Sequence, residues 1–311
     1  MTNTQKNQGL WGRAALFAAA LIWGSSFFVM KSAVSTIPTF MLLGIRFTVG
    51  AVLLALLFWK RLKRVHAATV RKGALLGVLL ASAYAVQTFG LVRTTPGKNA
   101  FLTAVYCVLV PFFDWLLTKK APQKREWAAG VLCVAGIGLT SLDGGLSMGL
   151  GDVLTLCGGV IYAWHMLAVN RFTAAKAGEQ EEDAVMLTMV QFASAAVVSW
   201  AASLLTETAP ASIPVGAWGE LLYLSVFATT VALLLQTLGQ KVTPAAPASI
   251  LLSLESVFGV VFSVMFYGET VTLRLALGFA LIFAAVVFSV TGGTEALDGT
   301  ERSMISKTQK G

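Results

Sequence analysis

Ten apolar runs follow one another along this chain, at about 14–34, 40–59, 73–92, 99–118, 126–142, 151–170, 184–205, 218–238, 246–267 and 272–291. Each approaches the roughly 20 residues a helix needs to cross a hydrocarbon core. Lipid offers a peptide N–H or C=O no partner, and the runs are too long for barrel strands, so they have to be helical. Hydrophobic residues make up 56% of the chain and charged residues only 12%, about half the charge of a soluble domain. A soluble globule cannot hide that much apolar surface. The expected fold class is an all-α membrane protein with ten transmembrane helices. Pro38, Pro96, Pro122, Pro210, Pro214, Pro244 and Pro247 fall at or near span ends, and only Pro111 falls inside a span, as helix-breaking chemistry requires.

Charge then sets direction. The connection after span two holds Lys60, Arg61, Lys63, Arg64, Arg71 and Lys72, and the one after span four holds Lys119, Lys120, Lys124 and Arg125. With both inside, only Lys31, Arg46, Arg93, Lys98 and Arg274 of the 23 basic residues fall elsewhere. This bias places both termini in the cytoplasm, in a bacterial-type inner membrane. It also accounts for the net charge of +8 without nucleic acid, because no basic stripe is interleaved with exposed aromatics. Lys6 and Arg13 before an Ala-rich run imitate a signal peptide, but the run continues past Trp23 to Met30 and reads as span one. The linker before span seven carries Glu179, Glu181, Glu182 and Asp183 and reads as a solvated connector. Cys107, Cys133 and Cys157 contain no C-x-x-C pair, so they read as packing residues, with no metal and no cofactor expected.

The sequence also repeats itself. Gln87-Thr88-Phe89-Gly90 in span three returns as Gln236-Thr237-Leu238-Gly239 in span eight, 149 residues later. Ile22-Trp23 is echoed by Ile161-Tyr162, Thr95-Pro96 by Thr243-Pro244, and Gly130 by Gly278. Five spans per copy is an odd number, so the second copy is inverted relative to the first. The expected division is 1–143 and 144–292 as two five-helix repeats, with 293–311 a polar cytoplasmic tail.

Polar groups inside spans mark candidate function. Glu255, in the middle of span nine, is the one acidic residue placed at the midplane and suits a substrate ammonium or a transported proton; a structural acid is the alternative. The stripe Ser249, Ser253, Ser256 and Ser263 points about 80–160° away from it at about 100° per residue, so one face is cavity and the other packing. Tyr84, Gln87 and Thr88 share a face, as do Thr229, Gln236 and Gln240, and Asn99, Thr103 and Tyr106. These lines fit either a polar cleft or interhelical hydrogen bonding. His165 and Gln191 are further cavity candidates. Arg46 suits a substrate carboxylate or a helix-end carbonyl. Trp23, Trp164, Tyr84 and Tyr106 are candidate aromatic walls, and Trp11, Trp59, Trp127 and Trp218 candidate interface anchors. Asp114 is expected to pair with Lys119 or Lys120. Small residues in spans five and ten favour close packing, a scaffold or homodimer role.

The chain resembles EamA-type members of the drug/metabolite transporter superfamily. The resemblance rests on Leu21-Ile22-Trp23-Gly24-Ser25-Ser26-Phe27, Arg46-Phe47, Thr94-Thr95-Pro96-Gly97 and Ala100-Phe101-Leu102-Thr103 through Val110-Pro111 in the first half. In the second half it rests on Ala163-Trp164-His165, Gln191, the run from Gln236 to Gln240, Leu254-Glu255-Ser256-Val257-Phe258 and Tyr267-Gly268-Glu269. It implies a ten-helix carrier of small organic metabolites, often an exporter of amino acids or related compounds, with a central cavity between the halves. Two departures stand out: Ser256 replaces the proline many members carry after the glutamate, and Ala121-Pro122 replaces their acidic residue after span four. Glu269 keeps that acid in the second half, at a helix boundary where a capping role is expected. Span one has no acidic residue, which argues against proton exchange through a first-helix glutamate.

The leading expectation is a secondary transporter moving a small amphipathic solute by alternating access, with protons as a candidate coupling ion. Glu255, Gln87, Gln236, Tyr84, Tyr106, Trp23, His165, Gln191 and Arg46 are the expected solute contacts. No G-x-x-x-x-G-K-[ST] loop is present, so nucleotide hydrolysis is not the expected drive. The competing readings are a non-transporting scaffold or receptor and an intramembrane hydrolase. The hydrolase would need Ser25 or Ser26 beside His165, without any nucleophile-elbow motif.

Overall fold

The computed structural model describes residues 3–119, 121–141, 148–173, 182–285 and 287–288. The tail 293–311, Lys120, and the linker acids Glu179 and Glu181 lie outside the described residues. All extended regular structure within them is helical: α1 (Asn3–Ala33), α2 (Thr39–Leu57), α3 (Ala67–Val92), α4 (Pro96–Thr118), α5 (Lys124–Ser141), α6 (Leu150–Thr173), α7 (Ala184–Thr206), α8 (Val215–Val242), α9 (Ala245–Phe262) and α10 (Leu273–Ala285). A short 3₁₀ helix, Trp59–Arg64, follows α2. By length and composition, seven helices can cross a membrane (α1–α4 and α6–α8), and three shorter apolar stretches, Trp127–Leu139, Leu251–Tyr267 and Leu273–Ala285, accompany them. Proline starts the helices as its chemistry dictates: Pro38, Pro214 and Pro244 are N-cap residues, and Pro96 opens α4.

Three helices depart from regular α geometry; α4 is interrupted by a turn at Ala104. The middle of α8 winds as a π segment, Leu224–Val231, and α9 continues as one, Ser263–Tyr267. In α8 the wider turn is stitched by Thr229 and Thr230, whose hydroxyls each donate 2.8 Å to the carbonyl five residues back. Hydropathy carries no trace of this i→i+5 register, although such turns often mark functional sites.

The helices pack α1 on α8 and α9, α3 on α6 and α7, and α2 on α7 and α8. The glycines of the repeated signature are contact points. A Cβ on Gly90 would lie 2.4 Å from the Thr155 hydroxyl and 2.8 Å from the Gly151 carbonyl; one on Gly239 would lie 2.7 Å from Leu16 Cγ and 3.0 Å from the Gly12 carbonyl. Neither site admits a larger side chain without movement. On the outside, Leu204, Leu205 and Val215 are more than 80% exposed, which suits lipid rather than water. Trp11, Trp59, Trp127 and Trp218 are all at least half exposed.

Three charged residues depart from the sequence reading. Glu182 is not a solvated linker residue: it is buried and accepts from Thr69 Oγ1 (2.6 Å) and Lys72 Nζ (3.0 Å). Its neighbour Asp183 pairs with Arg64 at 3.0 Å and Arg61 at 3.7 Å. This end of the linker is clamped to the basic α2–α3 connection, a long-range contact no local pattern encodes. Asp114 pairs with Arg171 at 3.1 Å rather than with Lys119 among the described residues. Glu269 does cap a helix, but a distant one. It accepts from Gly97 N (2.9 Å), Ser263 Oγ (2.5 Å) and Thr95 Oγ1, holding the N-terminus of α4. Glu207 does the same for α2 through Phe40 N and Met41 N at 2.7 and 2.9 Å. Carboxylates at these N-termini satisfy orphan donors and complement the helix dipole.

Candidate functional site

A cavity of about 50 Å³ opens among α1, α2, α3, α4, α6 and α9, room for a few waters. The residues α3 contributes run from Ala83 to Leu91, so the cavity occupies the half of the bundle away from the basic connection. Of the nine expected solute contacts, Trp23, Arg46, Tyr84, Gln87 and Glu255 line it.

Two ionisable groups face this small space. Arg46 is 4% exposed; its Nε donates to Thr229 Oγ1 at 2.9 Å and its Nη1 to Met30 Sδ at 3.2 Å, and its guanidinium lies 5.5 Å from the Tyr84 ring centre. The π turn of α8 delivers the Thr229 hydroxyl, so that irregular segment positions the cation. Glu255 is also 4% exposed. The Tyr106 hydroxyl lies beside its carboxyl without completing a regular hydrogen bond. Neither Arg46 nor Glu255 belongs to any of the ion pairs among the described residues. Burying an ionisable side chain without an ionic partner is costly. The serine stripe of α9 is the packing face: Ser249, Ser253, Ser256 and Ser263 are buried, and Ser256 bonds back to the Ser253 carbonyl at 2.7 Å.

Neutral polar groups complete the wall. Gln87 donates 2.9 Å to Thr103 Oγ1, which donates 2.8 Å to the Asn99 carbonyl. The Asn99 amide nitrogen reaches Thr155 Oγ1 at 2.7 Å, while its Oδ1 is buried without a hydrogen-bond partner. An acceptor left open at a cavity wall suits a donor on a solute.

The floor is aromatic, and its hub is a residue the sequence reading did not single out as a contact. The Tyr162 ring centre lies 6.2 Å from Trp23, 6.3 Å from Tyr84, 5.2 Å from Tyr106 and 5.4 Å from His165. The repeat pointed to it, because Ile161-Tyr162 echoes Ile22-Trp23. The Trp23 indole donates 2.8 Å to the Ala228 carbonyl in the π segment of α8.

The other four expected contacts lie off this cavity. Tyr106 is wholly buried behind Glu255. Gln236 sits behind the floor, accepting from the Tyr162 hydroxyl at 3.1 Å and donating to Gln240 Oε1 at 3.0 Å. His165 Nε2 and Gln191 Oε1 meet at 3.0 Å, both wholly buried. Trp164 is no cavity wall either; it stacks on Phe113 at 4.6 Å. Ser25 and Ser26 each bond a carbonyl three residues back at 2.8 Å. With His165 engaged by Gln191, the described hydrogen bonds contain no serine–histidine pair.

Comparison with known proteins agrees with this architecture. The model of the EamA-like transporter family matches twice, at residues 10–142 and 150–291. An uncharacterized transporter of Archaeoglobus fulgidus is 31% identical over 278 residues, covering 89% of this chain and 85% of its own. The uncharacterized inner membrane transporter YedA of Escherichia coli K12 is 28% identical over 287 residues, covering 89% and 90%. A solved crystal structure superposes with a TM-score of 0.66 at 19% identity, over 90% of this chain and 97% of that one, a likeness of fold.

Proposed function

This chain belongs to the EamA-like transporter family, and from that premise we propose that it is a secondary carrier, an exporter, of small zwitterionic, amino-acid-like metabolites. A transporter role and an inner-membrane setting agree with the relatives. The observation that carries the finer reading is the pairing of Arg46 and Glu255 on one buried cavity, each without an ionic partner among the described residues. A carboxylate on Arg46 and an ammonium on Glu255 would give each charge the partner it lacks. Tyr84, Trp23 and Tyr162 would cover the apolar remainder, and Asn99 Oδ1 would accept one further ammonium proton.

The mechanism proposed is alternating access by two inverted five-helix repeats, 1–143 and 144–292, with 293–311 a cytoplasmic tail and both termini inside. All ten helices would then cross the bilayer. Reciprocal packing supports this reading. Gly90 of α3 meets Gly151 of α6, and its repeat partner Gly239 of α8 meets Gly12 of α1. Exchanging each helix for its partner five places on turns one contact into the other. The small cavity admits waters but no metabolite, so the halves must part to load one.

Three solute shapes test the reading: an amino acid, its decarboxylated amine and its deaminated acid, each added to purified protein while thermal stability is followed. The zwitterion is expected to stabilise most. Arg46→Gln should erase the preference for a carboxylate and Glu255→Gln the preference for an amine. Equal responses to all three in wild type would remove the zwitterion assignment.

A further inference from the structure

We propose that His165, Gln191 and Gln236, together with the floor residue Tyr162 that both sites share, form a second, uncharged solute subsite, whose other three residues line the pathway only when the bundle opens toward its basic end. The inference rests on the inverted-repeat reading above and goes beyond it by assigning the residues of the opposite state.

Four correspondences in the sequence link the two halves. Ile22-Trp23 matches Ile161-Tyr162, and at the same offset Ser26 matches His165. Arg46-Phe47 matches Gln191-Phe192, and Gln87-Thr88 matches Gln236-Thr237. The four first-half members, Trp23, Ser26, Arg46 and Gln87, all line the cavity. Their partners do not scatter through the second half. Tyr162 stacks on His165 with ring centres 5.4 Å apart, His165 meets Gln191 at 3.0 Å, and Tyr162 donates to Gln236 at 3.1 Å. They form one connected cluster, with Tyr162 in the floor of the outer cavity and the other three behind it. An inverted pair of repeats that exchange conformations exchanges the environments of matched residues. When the outer cavity closes, this cluster is what the symmetry exposes.

A second observation is independent of the repeat. His165 Nδ1 and Gln191 Nε2 are fully buried with no hydrogen-bond partner, and both side chains have no exposed surface. Orphaned polar atoms in a closed core are costly. Two in adjacent side chains that already bond each other describe groups kept for another state, where water or solute reaches them.

The two subsites differ in chemistry. Arg46 corresponds to Gln191, so the inner subsite offers a carboxylate neutral donors in place of a guanidinium. Glu255 has no mirrored acid, because the first-half positions that can align with it, from Tyr106 to Val110, are all uncharged. The outer state is therefore built to hold a carboxylate more tightly than the inner one, and a solute's ammonium keeps the same partner in both. This difference sets the affinity of each face; the gradient sets the direction of net flux.

The test is sided thiol accessibility on the full chain with Cys107, Cys133 and Cys157 replaced by alanine, in oriented membrane vesicles. The probe is a charged, membrane-impermeant methanethiosulfonate. Ser26→Cys is expected to react from the face away from the basic connection, and His165→Cys and Gln191→Cys only from the basic face. In the double variant Ser26→Cys with His165→Cys, prior modification at position 26 should slow labelling at position 165 at least tenfold. Phe192→Cys, next in the chain and buried, should stay unlabelled; if it reacts as fast as Gln191→Cys, the labelling reports loosening and the proposal fails. The wild-type chain gives a check without substitution: diethyl pyrocarbonate should modify His165 measurably, though more slowly than the exposed His66. Inert His165→Cys and Gln191→Cys on both faces, beside a reactive Ser26→Cys, would overturn the inner subsite and leave the outer site standing. An inert Ser26→Cys would overturn the outer site itself.

Discussion

Gln87 and Gln236 carry the same four-residue signature and live in different surroundings. Gln87 borders an open cavity and donates to Thr103. Gln236 is sealed between Tyr162 and Gln240. The glycines that end the two signatures, by contrast, do the same job, each meeting a glycine on the helix beside it. The comparison separates two roles within one motif. The glycine sets a close helix approach in both halves, and the glutamine lines a cavity in one half and is sealed in the other. Closely similar local sequence thus goes with a similar helix contact while leaving the surroundings of the glutamine to the arrangement of the whole.

The largest effects should come from the charges that break the likeness between the halves. Glu255→Gln and Arg46→Met are each expected to weaken solute binding roughly 10- to 150-fold, as the loss of one charge-assisted bond of about 1.5–3 kcal/mol implies. Titration of the zwitterion against each variant measures this. Arg46→Met should at the same time raise the melting temperature of the solute-free protein, because an unpaired buried cation gives way to a matched apolar side chain. A lowered melting temperature would recast Arg46 as a structural residue.

Next come the glycines. Gly90→Ala places a methyl against both a hydroxyl and a backbone carbonyl, whereas at Gly239 the nearest atoms belong to the Leu16 side chain. Both should destabilise by about 1–3 kcal/mol, with Gly90→Ala the worse, read as the relative loss of melting temperature in detergent. Equal tolerance of alanine at both would deny the shared packing role.

The caps rank below these. Glu207→Ala and Glu269→Ala should each cost about 0.5–2 kcal/mol, with Glu269→Ala the larger because three donors lose their acceptor. Chemical denaturation of both variants ranks them.

Smallest is the acid sensitivity of the linker clamp. Burial alone would raise the Glu182 carboxyl, but hydrogen bonds from Thr69 and Lys72 and the charges of Lys72 and His66 together hold it below its ordinary 4.5. A carboxyl lowered by folding contributes stability above its unfolded value and loses it as pH falls through the folded value. The clamp should be intact at neutral pH and fail only as pH falls through that lowered value, and Glu182→Gln should flatten that part of the acid-unfolding curve by about 1 kcal/mol or less. An unchanged curve would place Glu182 outside the acid response.

Much of this was written locally. Long apolar runs and their flanking prolines give the helices, because both act within a few residues. Arg46, Tyr84, Gln87, Trp23 and Glu255 were visible as costly or amphipathic groups inside spans, and they meet at one cavity. What escaped depends on distance along the chain. Tyr162 looks like one more apolar-run aromatic until four rings are packed around it. The π turn that offers Thr229 to Arg46 leaves hydropathy unchanged. Glu182 sits in an acidic stretch that reads as solvent-facing, and only the folded bundle brings Thr69 and Lys72 to it. His165, Gln191 and Gln236 were singled out for polarity inside a span, yet no pattern in the sequence says that they pack behind the floor of the cavity.

Counterflow in proteoliposomes tests the central claim most directly. With a zwitterionic amino acid loaded on one side, a carrier exchanging two accessible states should accelerate uptake of the labelled solute from the other, and Arg46→Met or Glu255→Gln should abolish that acceleration. Uptake of the whole proteinogenic set that is indifferent to internal solute, or identical in wild type and both variants, would contradict the account.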